Sequence, residues 1–303
     1  MRILLLAGGW SSERDVSLRG AAQIEHCLKE RGHSVTLLDP ASQFDHIVCA
    51  GREHDVAFIN LHGAPGEDGL IQAILDRVGC PYQGSGPAAS FLALHKAAAK
   101  QLFRDADLLT ADWIYLPTRP EKDWQPDLDY PLFVKTNTGG SSLHLFKVSH
   151  KDELNAALDA IFGAGEEVLI EPSLPGQELT CGVLGDVALP PILIRPKAGF
   201  FDYHNKYAAD GAEEICPAPL PDVILQAVQD AALAAHRCLG LEGYSRSDFI
   251  LCEDGRLFLL ETNTIPGMTA TSLVPREAAC IGLSFGDLVE RLLNLALTRK
   301  TAP

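Results

Sequence analysis

Apolar and polar positions follow one another along this chain in blocks that change period. Arg2–Leu6 is a short apolar run ending in Ala7-Gly8-Gly9, the pattern of a buried strand entering a loop. A helical period runs from Val16 to Arg31 and stops at Gly32, a residue suited to the position after a helix. Ser34–Leu38 and Val56–Leu61 return to strand-like runs. Strand–helix–strand succession implies a parallel, right-handed α/β unit, whose ligands bind beyond the carboxyl ends of the strands. That rule places the loops Gly8–Arg14 and His62–Gly69 in a cleft.

The same reading predicts a helix over Leu70–Val78, a loop over Tyr82–Pro87 and one continuous helix over Ala88–Arg104 carrying His95, Lys96 and Lys100. Pro117–Pro131 has the composition of a connector. Strands follow at Leu132–Lys135, Leu143–Val148 and Val168–Glu171, with a helix at Lys151–Ile161. Pro190–Pro219 has little periodicity and is expected to contain a mobile loop. Val223–Leu239 is an amphipathic helix capped by Gly240. Ser284–Leu297 closes the chain, with Ser284 as N-cap and Asp287 at N3.

Between the last two helices lies a predicted hairpin. Asp254-Gly255 is a two-residue turn signal. Counting outward from it sets Leu251 opposite Phe258, Asp248 opposite Glu261, and Arg246 opposite Asn263. Period-2 alternation then puts Arg246, Asp248, Glu261 and Asn263 on one face. It groups Phe249, Leu251, Phe258 and Leu260 on one side, and Ile250, Leu257 and Leu259 on the other. Opposed carboxylates repel, and more so if both faces are covered. Either the charges are incidental on an exposed hairpin, or a cation sits there, and hard oxygen ligands suit Mg²⁺.

Composition narrows the partners. The chain has 303 residues, enough for two or three domains, and a net charge of −15, which argues against nucleic acid or an anionic membrane. The opening apolar run is too short for a signal peptide, and no window matches a membrane span. Eight scattered cysteines without CxxC spacing suggest reduced thiols in a cytoplasmic protein. No GxGxxG is present, so a nicotinamide-binding dehydrogenase has little support.

Three further segments admit chemistry. Lys135-Thr-Asn-Thr-Gly-Gly-Ser-Ser142 is either an ordinary hairpin turn or a glycine-rich cradle for phosphate beside a basic residue. Glu171, at a strand end, is a solvated acid or an acceptor for a ribose or an adenine amino group. Lys206 and Tyr207 are exposed loop residues or part of a lid.

Taken together, these segments resemble the D-alanine–D-alanine ligases of the ATP-grasp superfamily. The likeness spans nearly the whole chain in the blocks Gly8–Leu18, Leu61–Gln72, Pro81–Ser90, Val134–Ser142, Ile170–Thr180, Tyr203–Tyr207 and Arg246–Pro275. It implies a mixed α/β, three-domain ATP-grasp fold with an N-terminal parallel α/β domain. The expected divisions are 1–93, 94–182 and 183–303. It implies ATP held by Lys96, Lys135, Gly140, Ser142, Glu171, Leu174, Glu178 and Lys206. Asp248, Glu261 and Asn263 would hold two Mg²⁺, for which Mn²⁺ can substitute. Glu13, Ser141, Tyr207 and Arg246 would act in catalysis, and His62, Gly267 and Ser272 would line the D-alanine subsites.

The activity implied is ATP-dependent joining of two D-alanines through an acyl phosphate, in the cytoplasm, for peptidoglycan synthesis. A homodimer fits the family. The alternatives are a ligase taking D-serine or D-lactate second, and a silent nucleotide-binding regulator. The chain departs from the family pattern at His95 (usually Asp), Thr136 (Pro), Pro172 (Lys) and His144 (Gly).

Overall fold

The computed structural model describes residues 1–121, 123–139, 144–196 and 212–299. Its strands are β1 (Arg2–Ala7), β2 (Ser34–Leu38), β3 (Val56–Asn60), β4 (Ile114–Leu116), β5 (Leu132–Thr136), β6 (Phe146–Val148), β7 (Val168–Pro172), β8 (Gln177–Leu184), β9 (Val187–Ala188), β10 (Ile192–Pro196), β11 (Ala212–Ile215), β12 (Tyr244–Leu251) and β13 (Leu257–Asn263). Its helices are α1 (Arg14–Glu30), α2 (Pro40–Gln43), α3 (Ile47–Glu53), α4 (Leu70–Val78), α5 (Pro87–Leu94), α6 (Lys96–Asp105), α7 (Lys151–Gly163), α8 (Asp222–Cys238), α9 (Leu273–Cys280) and α10 (Phe285–Thr298).

The N-terminal sheet is parallel in the order β2-β1-β3. Its middle strand is buried from Ile3 to Ala7, as a continuous apolar run demands. The second sheet, β4-β7-β5-β6, and the third, β11-β10-β8-β12-β13, are antiparallel. In the second, Leu132, Val134, Val168 and Ile170 bury against Leu154, Leu158 and Ile161 of α7. In the third, Leu179, Cys181, Val183, Phe249 and Leu259 bury against Val228, Ala232 and Ala235 of α8. Each of these sheets therefore has one face under a helix. Alternation sends the polar side chains of the other face into a cleft.

The Pro190–Pro219 stretch contributes β10 and β11, and the loop expected within it lies at 197–211, outside the described residues. Two expectations need correcting. The single helix over Ala88–Arg104 is two helices, because the backbone leaves helical geometry at His95 (ψ 89°). The hairpin turn is one residue longer than Asp254-Gly255. Gly255 donates its N–H to the carbonyl of Cys252, and Cys252 donates to that of Arg256. Gly255 takes φ +84°, as a three-residue loop with a left-handed last position requires.

Leu251 consequently pairs with Leu257 instead of Phe258. A bulge that passes over Leu260 then restores the count, so Asp248 still pairs with Glu261 and Arg246 with Asn263. The apolar grouping shifts with it: Leu257 and Leu259, not Phe258 and Leu260, join Phe249 and Leu251 in the core under α8.

Candidate active site

The cleft face of the third sheet carries Glu178 and Thr180 on β8, and Asp248 and Ile250 on β12, which pair in register. Asp248 accepts from Arg246 through both nitrogens of a fork (Nε to Oδ1 2.9 Å, Nη2 to Oδ2 2.7 Å), from Thr180 Oγ1 (2.7 Å) and from Asn263 Nδ2 (3.3 Å). Burial alone would lower the Arg246 pKa, but Asp248 outweighs it and holds the guanidinium charged. Glu261 lies 3.7 Å from Lys96 Nζ. Two acids opposed across a ladder are thus balanced by one arginine and one lysine. Among the described residues no group of three or more His, Cys, Asp or Glu is gathered for a metal. The hard-oxygen set here is two carboxylates and an amide.

Lys96 and Lys100 lie one helical turn apart on α6 and share a face. The helix start is fixed twice. His95 Nδ1 accepts from the N–H of Ala98 (3.2 Å), and Asn137 accepts from Ala97 (3.0 Å) while its carbonyl accepts from Lys96. His95 so performs the capping task of the aspartate usual there, which accounts for that departure. Burial pushes the Lys96 ammonium down, Glu261 opposes this, and Lys135 adds to it.

On the second sheet Lys135 and Glu171 share the cleft face. Glu171 is clamped between Lys135 and Lys100, the latter at 2.5 Å. Burial pushes the Glu171 carboxyl up, but the two lysines outweigh it and hold the group at about 2. Lys100 Nζ also donates to Thr110 Oγ1, which in turn donates to the carbonyl of Leu259 on β13. Sequence reading placed Lys100 on a helix but gave it no role. Its full burial beside an acid is a three-dimensional fact. Leu174 stands half-buried in the turn between β7 and β8.

The N-terminal domain closes the other side. Glu13 is the N-cap residue of α1. Its loop is held by Asp39, which accepts from Gly9 N–H (2.9 Å) and pairs with Arg14. Gly8, at φ +90°, has no room for a Cβ against Asp39. His62 is buried. Its Nδ1 donates to the carbonyl of Ile265 (3.1 Å), and Nε2 has no partner. Burial lowers its pKa, so the ring is neutral and Nε2 offers a lone pair.

Glu67, missed in the sequence, accepts from Gly63 N–H (2.9 Å) and Ile265 N–H (3.2 Å). Burial, then the charge of Glu13, push its carboxyl up to about 7. The segment after β13 completes the wall. A Cβ on Gly267 would meet Ser272 Oγ at 3.1 Å, and Thr269 contacts the same hydroxyl (2.8 Å).

The structure therefore gathers Glu13, His62, Lys96, Lys135, Glu171, Glu178, Arg246, Asp248, Glu261, Asn263, Gly267 and Ser272 around one cleft. Gly140, Ser141, Ser142, Lys206 and Tyr207 lie outside the described residues. His144 is described, and it takes φ +54°, the left-handed conformation that the family's usual glycine would adopt freely. Thr136 is buried, and its side chain fills the space a Cβ on Gly139 would need.

Helix-backed antiparallel sheets whose charged faces line a cleft, next to a parallel α/β domain, define a mixed α/β fold of the ATP-grasp class. Residues 102–294 match the family model described as D-ala D-ala ligase C-terminus. The D-alanine–D-alanine ligase of Desulfovibrio desulfuricans is 62% identical over 98% of this chain and 97% of its own length. That of Lawsonia intracellularis is 61% identical, covering 98% of each. The crystal structure of the D-alanine–D-alanine ligase from Bacillus anthracis superposes with a TM-score of 0.88 at 35% identity, covering 98% of this chain and 97% of that one. The VanG D-Ala:D-Ser ligase from Enterococcus faecalis gives 0.83 at 27% identity, covering 98% and 99%. The chain belongs to the D-alanine–D-alanine ligase family.

Proposed function

We propose that this protein joins two molecules of D-alanine at the expense of ATP, releasing ADP and phosphate, to supply a peptidoglycan precursor. The observation that carries the reading is the in-register pair Asp248 and Glu261, balanced by Arg246 and Lys96. It is supported by the B. anthracis ligase solved in complex with ATP, 34% identical over 98% of this chain. No helix among the described residues is long and apolar enough to cross a membrane. A cytoplasmic enzyme, a homodimer and divisions at 93/94 and 182/183 belong to the same reading.

A carboxylate does not acylate an amine unaided, so one D-alanine carboxylate takes the γ-phosphoryl group of ATP. The amine of the second D-alanine then attacks the acyl phosphate and expels phosphate. Lys96, Lys135 and Lys206 offset charge on the phosphates. Glu171, held ionised and fixed, accepts from the adenine amino group. Leu174 and Glu178 border adenine and ribose, and Gly140 and Ser142 cover the phosphates. Glu13 holds the ammonium of the first D-alanine, grouped with Ser141 and Tyr207. His62, Gly267 and Ser272 line the subsites. Arg246 donates to the oxyanion of the tetrahedral intermediate.

Asp248, Glu261 and Asn263 fit two Mg²⁺ ions, since two half-buried or buried acids with one amide are hard-oxygen donors. When bound, such ions neutralise phosphoryl charge.

The test is phosphate release from Mg-ATP with D-alanine, L-alanine, D-serine, and D-alanine plus D-lactate, with products identified by mass. D-alanyl-D-alanine from D-alanine alone is expected. Release only with a mixed pair would favour the second reading, a D-serine or D-lactate ligase, for which the likeness to the VanG enzyme speaks. ATP binding without release would overturn both.

A further inference from the structure

We propose that Cys216 and Cys280 form a reversible disulfide, an oxidation site where the edge strand of the third sheet meets helix α9. The eight cysteines are all free thiols, yet these two stand with their sulfurs 2.7 Å apart. They are 64 residues apart in the chain, so the encounter is a property of the fold. Cys216 directly follows β11, and Cys280 is the last residue of α9.

A second contact joins the same two elements. Arg276 pairs with Glu214. Arg276 lies one turn before Cys280 on one face of α9, and Glu214 lies two residues before Cys216 on one side of the strand. The ion pair and the thiol pair are therefore successive rungs of one interface. Leu273, Ala212 and Cys216 pack behind them on Ile192 and Ile194. The sulfurs need to close by only about 0.7 Å to reach bonding distance.

The two thiols differ in ways that assign their roles. Cys280 is exposed and meets a dissolved oxidant first. Cys216 is half-buried, and burial and then the Cys280 thiol push its pKa up, so it stays protonated until its partner reacts. With glutathione disulfide as oxidant, Cys280 loses its proton and attacks one sulfur, expelling one glutathione thiolate. Cys216 then loses its proton and attacks the Cys280 sulfur, expelling the second. Two protein thiols are oxidised to one disulfide, and one glutathione disulfide is reduced to two glutathione thiols.

The bridge would pin α9, whose N-cap residue is Ser272. That extension rests on the reading of Ser272 as a substrate residue, whereas the bridge itself does not. The full chain is incubated with glutathione disulfide, quenched with iodoacetamide, digested and mapped by mass. A peptide linking Cys216 to Cys280, lost on reduction, is expected. C280S should form neither the bridge nor a glutathione adduct at that position, and C216S should stop at the mixed disulfide on Cys280. Wild-type protein that keeps both thiols free, carries only a stable adduct on Cys280, or bridges other cysteines would overturn the site. Phosphate release is expected to fall several-fold in the bridged protein, to return with dithiothreitol, and to be untouched by oxidant in C280S. Full turnover by bridged protein would overturn the coupling to Ser272, while absence of activity in the reduced protein would count against the ligase reading alone.

Discussion

Glu171 lies between two lysines of different standing. Lys135 lies one residue before the end of β5, ahead of a glycine-rich segment, and was legible from that place in the sequence. Lys100 was not, because nothing in a helical pattern marks which lysine turns inward. Its side chain is fully buried, bonded to Thr110 and Glu171. In the proposed mechanism it is a positioning residue, fixing the carboxylate that would accept from the adenine amino group. Lys100→Met should therefore raise KM for ATP and narrow the preference for ATP over ITP, which lacks that amino group. The ratio of the two kcat/KM values should drop about tenfold, ~1.4 kcal/mol. An unchanged ratio in a folded variant would leave Lys100 a purely structural role. Glu67 makes a different prediction. A carboxyl raised in the folded state to about 7 favours the neutral form. Stability is then fully present below the ordinary value of 4.5 and declines as pH rises from there to about 7, by on the order of 3 kcal/mol. Glu67→Gln should flatten that decline in denaturant titrations between pH 4.5 and 8. A decline of the same size in the variant would locate it in another group.

Elements were legible where one period ran long. The helices at Leu70–Val78 and Val223–Leu239 and the Ser284 capping box match the structure within a residue or two. The Ala88–Arg104 break was hidden because alanine and leucine on both sides favour helix and only the cap at His95 interrupts them. His95→Ala should cost about 1 kcal/mol in chemical denaturation, and His95→Asp should retain the cap. The central strand β8 went unpredicted, although Leu179, Cys181 and Val183 alternate, since the glutamate and glutamine before them read as loop. In the hairpin, the register at Asp248 and Glu261 came out right although the turn was counted one residue short and the bulge was not foreseen. Glu261→Gln should abolish phosphate release while melting within a few degrees of the parent. Near-normal turnover would remove Glu261 from the proposed metal site.

At the scale of the molecule, hydrogen bonds from distant parts of the chain converge on β13 and the segment that follows it. Glu67 and His62 bond to the backbone of Ile265 from the N-terminal domain, and Thr110 bonds to Leu259. No local pattern could disclose these pairings, which bring together residues as much as 203 apart. The chain end adds a further tie. Arg299 lies 4.4 Å over the ring of Tyr82 and pairs with Glu242 at 2.6 Å, so one side chain joins the segment after α4 to the one before β12. Arg299→Ala should cost about 1–2 kcal/mol and lower Tm by about 2–4 °C in calorimetry. No shift would mean the stacking is matched by solvent.

The long turn and the bulge at Leu260 act together as a phase boundary within one hairpin. Residues 249–259 keep one count, and residues 246–248 with 261–263 another, so the tip can gain or lose length without the change being transmitted inward. The chemistry is thereby insulated from drift at an exposed loop. The pairing of the two acids is set by the inner register and not by the length of the exposed turn.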